Sequence, residues 1–162
     1  MRLSFIQNHP LYVSSYERLQ ELEKNRSFCR HQINHYLDVA RIAYILNLEG
    51  QLGISRELIY AAALLHDIGK SRQYEAQIPH ELASERIAAQ ILSDMPPEVA
   101  FSPNEQGQIL TAIRGHRRLR EAAEPLELLL YKSDKLSRAC FACPAEAECN
   151  WSLDKKNMKI GL

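Results

Sequence analysis

Five side chains in this sequence are able to bind a metal ion and yet sit in or beside apolar helical patterns. They are His35 in HYLDVARIA, the adjacent His66 and Asp67 in LLHDIGK, His116 in ILTAIRGH and Asp134 in LELLLYKSDKL. A histidine and a carboxylate at the end of a buried stretch are costly unless they pair or bind a metal. Taken singly, each has a plain structural explanation, such as a core imidazole bonded to a backbone carbonyl or an aspartate that caps a helix. Several such cases in four separate segments point to one shared metal site. Imidazole nitrogen together with carboxylate oxygen suits zinc, iron or manganese better than calcium, which prefers oxygen alone. Neighbours on a helix differ by about 100° in direction. His66 and Asp67 therefore approach one ion from adjacent faces, or Asp67 lies between two ions, and a bridging carboxylate is the natural reading.

The elements that must position these residues read as helices. Apolar residues recur every three or four positions, and no alternating Val/Ile-rich run suggests a sheet. A first helix is predicted to start after Pro10 and to end near Asn25, with Leu11, Tyr12, Tyr16, Leu19 and Leu22 on one face. A second runs from about Gln32 to Leu48, with Leu37, Ile42, Ile45 and Leu46 inward and Gly50 beyond its end. Ser55 is the expected N-cap of a third, RELIYAAALLHDIG, which ends at Gly69. Further helices are expected over His80 to Met95, Asn104 to His116 and Leu126 to Arg138, the last opened by Pro125, and a short one over Trp151 to Ile160. No repeat or long linker divides the chain, so the expectation is an all-α, single-domain bundle.

In this order of ligands the chain resembles the HD superfamily of metal-dependent phosphohydrolases. That pattern has a histidine on an early helix, a His–Asp pair ending a later one, and a distant aspartate. His35, His66, Asp67 and Asp134 match it, Gly69 and Lys70 also fit, and the likeness spans about residues 28–138. His80 in IPHELASERIAAQIL and His116 fall between the pair and the last aspartate. This resembles the six-ligand, two-metal branch and, within it, the bacterial HD-type symmetrical diadenosine tetraphosphate hydrolases. The segment after His116, RRLREAAEP, departs from the polar threonine and glycine loop of those enzymes.

The resemblance implies that His35, His66, Asp67 and Asp134 hold one ion and that Asp67 bridges to a second on His80 and His116. The ions would be divalent Fe, Mn, Zn or Co, and they would clamp a phosphate and activate water. Asp67 and Lys70 are the expected catalytic residues. Lys70 would neutralise phosphoryl charge, the alternative being a helix C-terminal cation. Of the basic cluster Arg114, Arg117, Arg118 and Arg120, only Arg117 is placed near the substrate. His31, four residues before His35, would share its face if the helix reaches that far, but a surface or helix-start role is the expectation. Asp38 could accept the distal N–H of His35, unless it is simply exposed. His9, before Pro10, supports no functional assignment.

Cys140, Cys143 and Cys149 form C-x2-C-x5-C in ACFACPAEAECNW, and Cys29 stands far upstream. Cys29 lies six residues before His35 and Cys140 six after Asp134. If those helices are antiparallel and share an ion, both cysteines lie about 9 Å along the same direction, at ~1.5 Å per residue. The four thiols could then meet around zinc or an iron–sulfur cluster, or stay unliganded. One remote cysteine plus C-x2-C-x5-C resembles the iron–sulfur staples of certain nucleases, which favours a cluster over zinc. The segment 139–162 is expected to pack back on the core, so that residues 1–162 form one domain.

The chain has 162 residues, 46% apolar and 25% charged, a usual balance for one domain. Twenty basic residues balance twenty acidic ones, so no global field draws nucleic acid or a membrane. The start, MRLSFIQNHPLY, has no signal-like apolar stretch, and a cytoplasmic location is expected. The expected partner is a small phosphorylated molecule of nucleotide type, cleaved at a phosphate ester or anhydride. A di-iron oxygenase is the first alternative, because some HD proteins with six ligands use dioxygen. A nucleotide-sensing module without turnover is the second.

Overall fold

The computed structural model describes residues 1–160, and among them there are eight α-helices, two short 3₁₀ turns and no strand. The all-α architecture read from the spacing of apolar residues is therefore the fold observed. No helix among the described residues is long and apolar enough to cross a membrane.

Helices α1 (Arg2–Asn8) and α2 (Pro10–Leu22) meet at His9. His9 caps α2 by accepting the Leu11 amide at 3.2 Å, and its Nε2 lies 3.2 Å from Asp94 Oδ2. Its role is structural. Helix α3 (Ile33–Glu49) buries Tyr36, Val39, Ala40, Ala43 and Asn47. That face differs from the one expected: Ile45 is 39% exposed, and Leu37, Ile42 and Leu46 are only half-buried. The helix is turned so that His35 points inward, and the residues one, four, five and eight positions after it follow onto the same face.

Ser55 caps α4 (Arg56–Leu65) as expected, its Oγ accepting the Leu58 amide at 3.2 Å. The helix stops at Leu65 rather than Gly69, so His66 and Asp67 lie in the turn that joins α4 to α5 (Lys70–Ala76). Neither α1 nor α5, each of seven residues, stood out from the periodicity. Helix α6 (His80–Ser93) follows Pro79. Ser102 and Glu105 form a reciprocal capping box at the start of α7 (Pro103–Gly115), and Pro125 opens α8 (Pro125–Leu136). The tail carries 3₁₀ turns at Cys140–Ala142 and Glu146–Glu148. Trp151 to Ile160 is a series of turns and not the short helix predicted. Residues 161 and 162, included in the expected domain, lie outside the described residues.

Helix α3 packs against α4 and α8, while α7 packs against α4, α6 and α8. Ile59, Leu65, Ile68, Ile91, Ile109, Ile113 and Leu130 fill the space between them, all at most 1% exposed. Burying each such side chain contributes about 1.5–3 kcal/mol. This core holds the 66–69 turn against α6. The Gly69 amide donates to Ser84 Oγ at 2.9 Å, and a Cβ on Gly69 would overlap the backbone of Ala83 and Ser84. Gly69→Ala is expected to cost about 1–3 kcal/mol of stability by overpacking and to displace Asp67, read as a lowered denaturation midpoint together with weaker metal binding.

Candidate metal centre

The turn after α4 projects Asp67 into the middle of the bundle, where α3, α6, α7 and α8 each contribute a side chain. Two donor sets result, in each of which the ligand atoms lie within 4.8 Å of one another: His35, His66, Asp67 and Asp134, and Asp67, His80 and His116. All six are buried. Asp67 belongs to both sets through different oxygens. Its Oδ2 lies 3.1 Å from His66 Nε2 and 3.5 Å from His35 Nε2. Its Oδ1 lies 3.2 Å from His80 Nε2 and 3.5 Å from His116 Nε2. Asp134 Oδ1 completes the first set, 3.5 Å from His35 Nε2 and 3.8 Å from His66 Nε2.

Every imidazole of the two sets is held by its other nitrogen. His66 Nδ1 donates to the Ala63 carbonyl at 2.7 Å and His116 Nδ1 to the Ile113 carbonyl at 2.6 Å. His80 Nδ1 is 2.6 Å from Gln73 Oε1. Ser137 Oγ donates to the Asp134 carbonyl at 2.7 Å, which leaves it to accept from His35 Nδ1 at 3.1 Å. These bonds anchor each Nδ1 and turn each Nε2 toward Asp67, the usual support of metal-bound imidazole.

The arrangement is incomplete without a cation. His80 Nε2 and His116 Nε2 face each other at 3.1 Å. His66 Nε2 and Asp67 Oδ1 are buried with no hydrogen-bond partner. Buried polar atoms are rarely left so, and a divalent ion satisfies them. The cluster is thus compatible with divalent metal binding.

Electrostatics agree. Burial would raise Asp67, but His66, His31 and His80 outweigh it and hold the carboxyl well below its ordinary range. Asp134 is likewise lowered, through His66 and Arg138 against the effect of burial. Burial lowers His35 and His80 to about 4, which keeps them neutral. Burial also opposes charge on His66, yet Asp67 and Asp134 lift it to about 10, so an ion here displaces a proton.

Other expectations fare differently. Asp38 does not hold His35: it is paired with Arg41 at 3.4 Å on the surface, and Ser137 takes the role. Lys70 is the first residue of α5, not a helix C-terminal cation, and its Nζ lies 3.2 Å from Gln73 Oε1 and 3.1 Å from His80 Nδ1. Arg117 is bonded to Glu81 at 3.1 Å, whereas Arg114 pairs with Glu85 and Arg120 with Glu127. Arg118 is exposed and lines a separate groove.

A cavity of about 160 Å³ opens onto Asp67 and is lined by Lys70, Arg117, Lys135, Arg138, Trp151 and Lys155, among others. Sequence reasoning missed four of these. It also gave His31 a surface or helix-start role; His31 does precede the α3 N-cap, but it is buried, with Nε2 3.4 Å from Asp67 Oδ2 and Nδ1 2.6 Å from Glu23 Oε1. Tyr74 donates to the same Glu23 oxygen at 2.6 Å. Burial opposes it, but His31 and Tyr74 hold Glu23 down to about 2. The i, i+4 spacing of His31 and His35 was the available signal. Arg138 donates to His35 Nε2 at 2.9 Å, so an ion in the first set requires Arg138 to give up that bond.

The chain belongs to the HD domain family, whose sequence profile matches residues 33–139. An uncharacterized protein of Clostridium beijerinckii is 44% identical over 159 residues, 98% of each chain. Ribonuclease Y of Enterococcus faecalis is 27% identical over 93% of this chain, which spans only 26% of that protein. Ribonuclease Y of Listeria welshimeri is 29% identical over 81% of this chain and 22% of its own length. The crystal structure of a predicted HD superfamily hydrolase from an uncultured Thermotogales bacterium shares the fold, with a TM-score of 0.57, 21% identity, and coverage of 98% of this chain and 88% of that one.

Proposed function

We propose that this protein is a metal-dependent phosphohydrolase that cleaves a phosphate ester or anhydride in a small nucleotide. The reading is carried by one observation: Asp67 presents its two oxygens to two separate donor sets at the floor of a cavity whose wall carries five cationic side chains. Ions held there would supply Lewis acidity and a water of lowered pKa. The protein supplies the rest. Lys70, Arg117, Lys135, Arg138 and Lys155 line the path to Asp67 and neutralise phosphoryl oxygens as charge develops. Trp151 gives the same wall an aromatic face on which a base can stack. His31 Nε2, backed through Nδ1 by Glu23, is placed to give a proton to the leaving-group oxygen.

The size of the cavity favours a small substrate over a nucleic acid strand. The relatives named ribonuclease Y add support for a phosphate ester as the bond class. The ligand order also resembles that of symmetrical diadenosine tetraphosphate hydrolases, so dinucleoside polyphosphates head the substrates to test.

The test uses protein reloaded with Mn, Fe, Co or Zn and a panel of nucleoside phosphates, dinucleoside polyphosphates and short RNA, with products separated by chromatography. Metal-dependent cleavage of a phosphate bond in a mononucleotide or dinucleotide is expected. No cleavage with any metal, or consumption of dioxygen with a polyol or phosphonate substrate, would overturn the proposal.

A further inference from the structure

Four thiols that take no part in the HD site converge beside it. Cys29 lies in the loop before α3, Cys140 in the first 3₁₀ turn, and Cys143 and Cys149 at the ends of the two turns. All four line one cavity of about 400 Å³, and none is in a disulfide. They are close enough to influence one another. Burial raises the Cys140 thiol, the Asn157 backbone opposes this, and Cys29, Cys149 and Cys143 raise it further.

Among the described residues the tail has few other ties. Residues 140–160 contain no α-helix and bury only Cys140 and Ala145. A segment without a core of its own needs a staple. Its few polar ties, Lys156 to Glu146 at 2.7 Å and the Asn157 side chain to the Leu136 carbonyl at 2.9 Å, are partly exposed and contribute little.

The spacing selects the kind of staple. Four thiolates around one zinc at about 2.3 Å stand only ~3.8 Å apart. Here the donor sets whose ligand atoms lie within 4.8 Å of one another are the two at Asp67, and neither includes a thiol. An iron–sulfur cluster spreads four cysteines over two or more irons and around inorganic sulfide. The cavity has room for one, and Arg26, Lys70, Arg138 and Lys156 on its wall outnumber Glu146 and Glu148, so the lining is net positive toward a cluster with four thiolates.

We infer that Cys29, Cys140, Cys143 and Cys149 hold an iron–sulfur cluster that staples the tail across the rim of the HD site. The two cavities share a wall: His31, Lys70, Arg138 and Trp151 line both. The cluster fixes Trp151 and Lys155 where a substrate enters.

The full chain, prepared anaerobically and reconstituted with ferrous iron and sulfide, is expected to carry about two to four labile sulfides and a broad visible absorption of thiolate-to-iron charge transfer. Cys143→Ser and Cys149→Ser should each lose both signals and keep the helical circular dichroism, whereas Asp67→Ala should keep both. Wild-type protein with zinc and no sulfide, or with no thiol-bound metal, would overturn the inference, as would sulfide that survives both cysteine substitutions. Sulfide content is independent of phosphate cleavage, so failure here and failure of the proposed hydrolysis are distinguishable.

Discussion

Asp67→Ala is expected to abolish turnover and to release both ions while leaving the helices intact. Every other ligand serves one donor set, but Asp67 serves two, with Oδ2 toward His35 and His66 and Oδ1 toward His80 and His116. Its removal takes an anionic ligand from each ion at once. The electrostatic stabilisation at stake is several kcal/mol, which corresponds to a rate loss on the order of 10³-fold or more. The fold should survive, because His66 and His116 keep their Nδ1 bonds to backbone carbonyls and His35 keeps its bond to Ser137. Metal content by mass spectrometry, steady-state kinetics and circular dichroism check the three parts. Retained activity would contradict the assignment of the site.

His116→Ala should separate the two ions. The substitution removes one of three ligands from the second set and leaves His35, His66, Asp67 and Asp134 untouched. The expected metal content falls from two ions per chain to one. Turnover should fall roughly 10²-fold or more, the loss that accompanies one ion's share of charge stabilisation. Unchanged stoichiometry after the substitution would mean that His80 and His116 do not form a second site.

The positions of the buried His/Asp cluster were legible in the sequence because they break a local rule. His35, His66, His116 and Asp134 are polar side chains at positions that the apolar periodicity assigns to the core, and the caps at Ser55 and Pro125 set the frame of their helices. What the sequence hid depends on neighbours distant along the chain. His31 enters the site only because Glu23 of α2 and Tyr74 of α5 fold over it, and nothing local connects residues 23, 31 and 74. Asp38 looked suited to His35 by helical spacing, yet Ser137 comes from another element and is the group in contact. The rotation of α3 was misjudged at Ile45, because one buried histidine outweighs the average of its apolar neighbours. Lys135, on α8, and Arg138, just after it, reach the site only through partners distant along the chain, the His116 carbonyl and His35 Nε2. The turns of the tail escaped because no apolar period runs through them.

Anomalous diffraction from crystals grown with manganese tests the account most directly. Two peaks are expected, one on each side of the Asp67 carboxylate, the first within reach of His35, His66 and Asp134 and the second within reach of His80 and His116. A single peak away from Asp67, or no peak within the two donor sets, would contradict it.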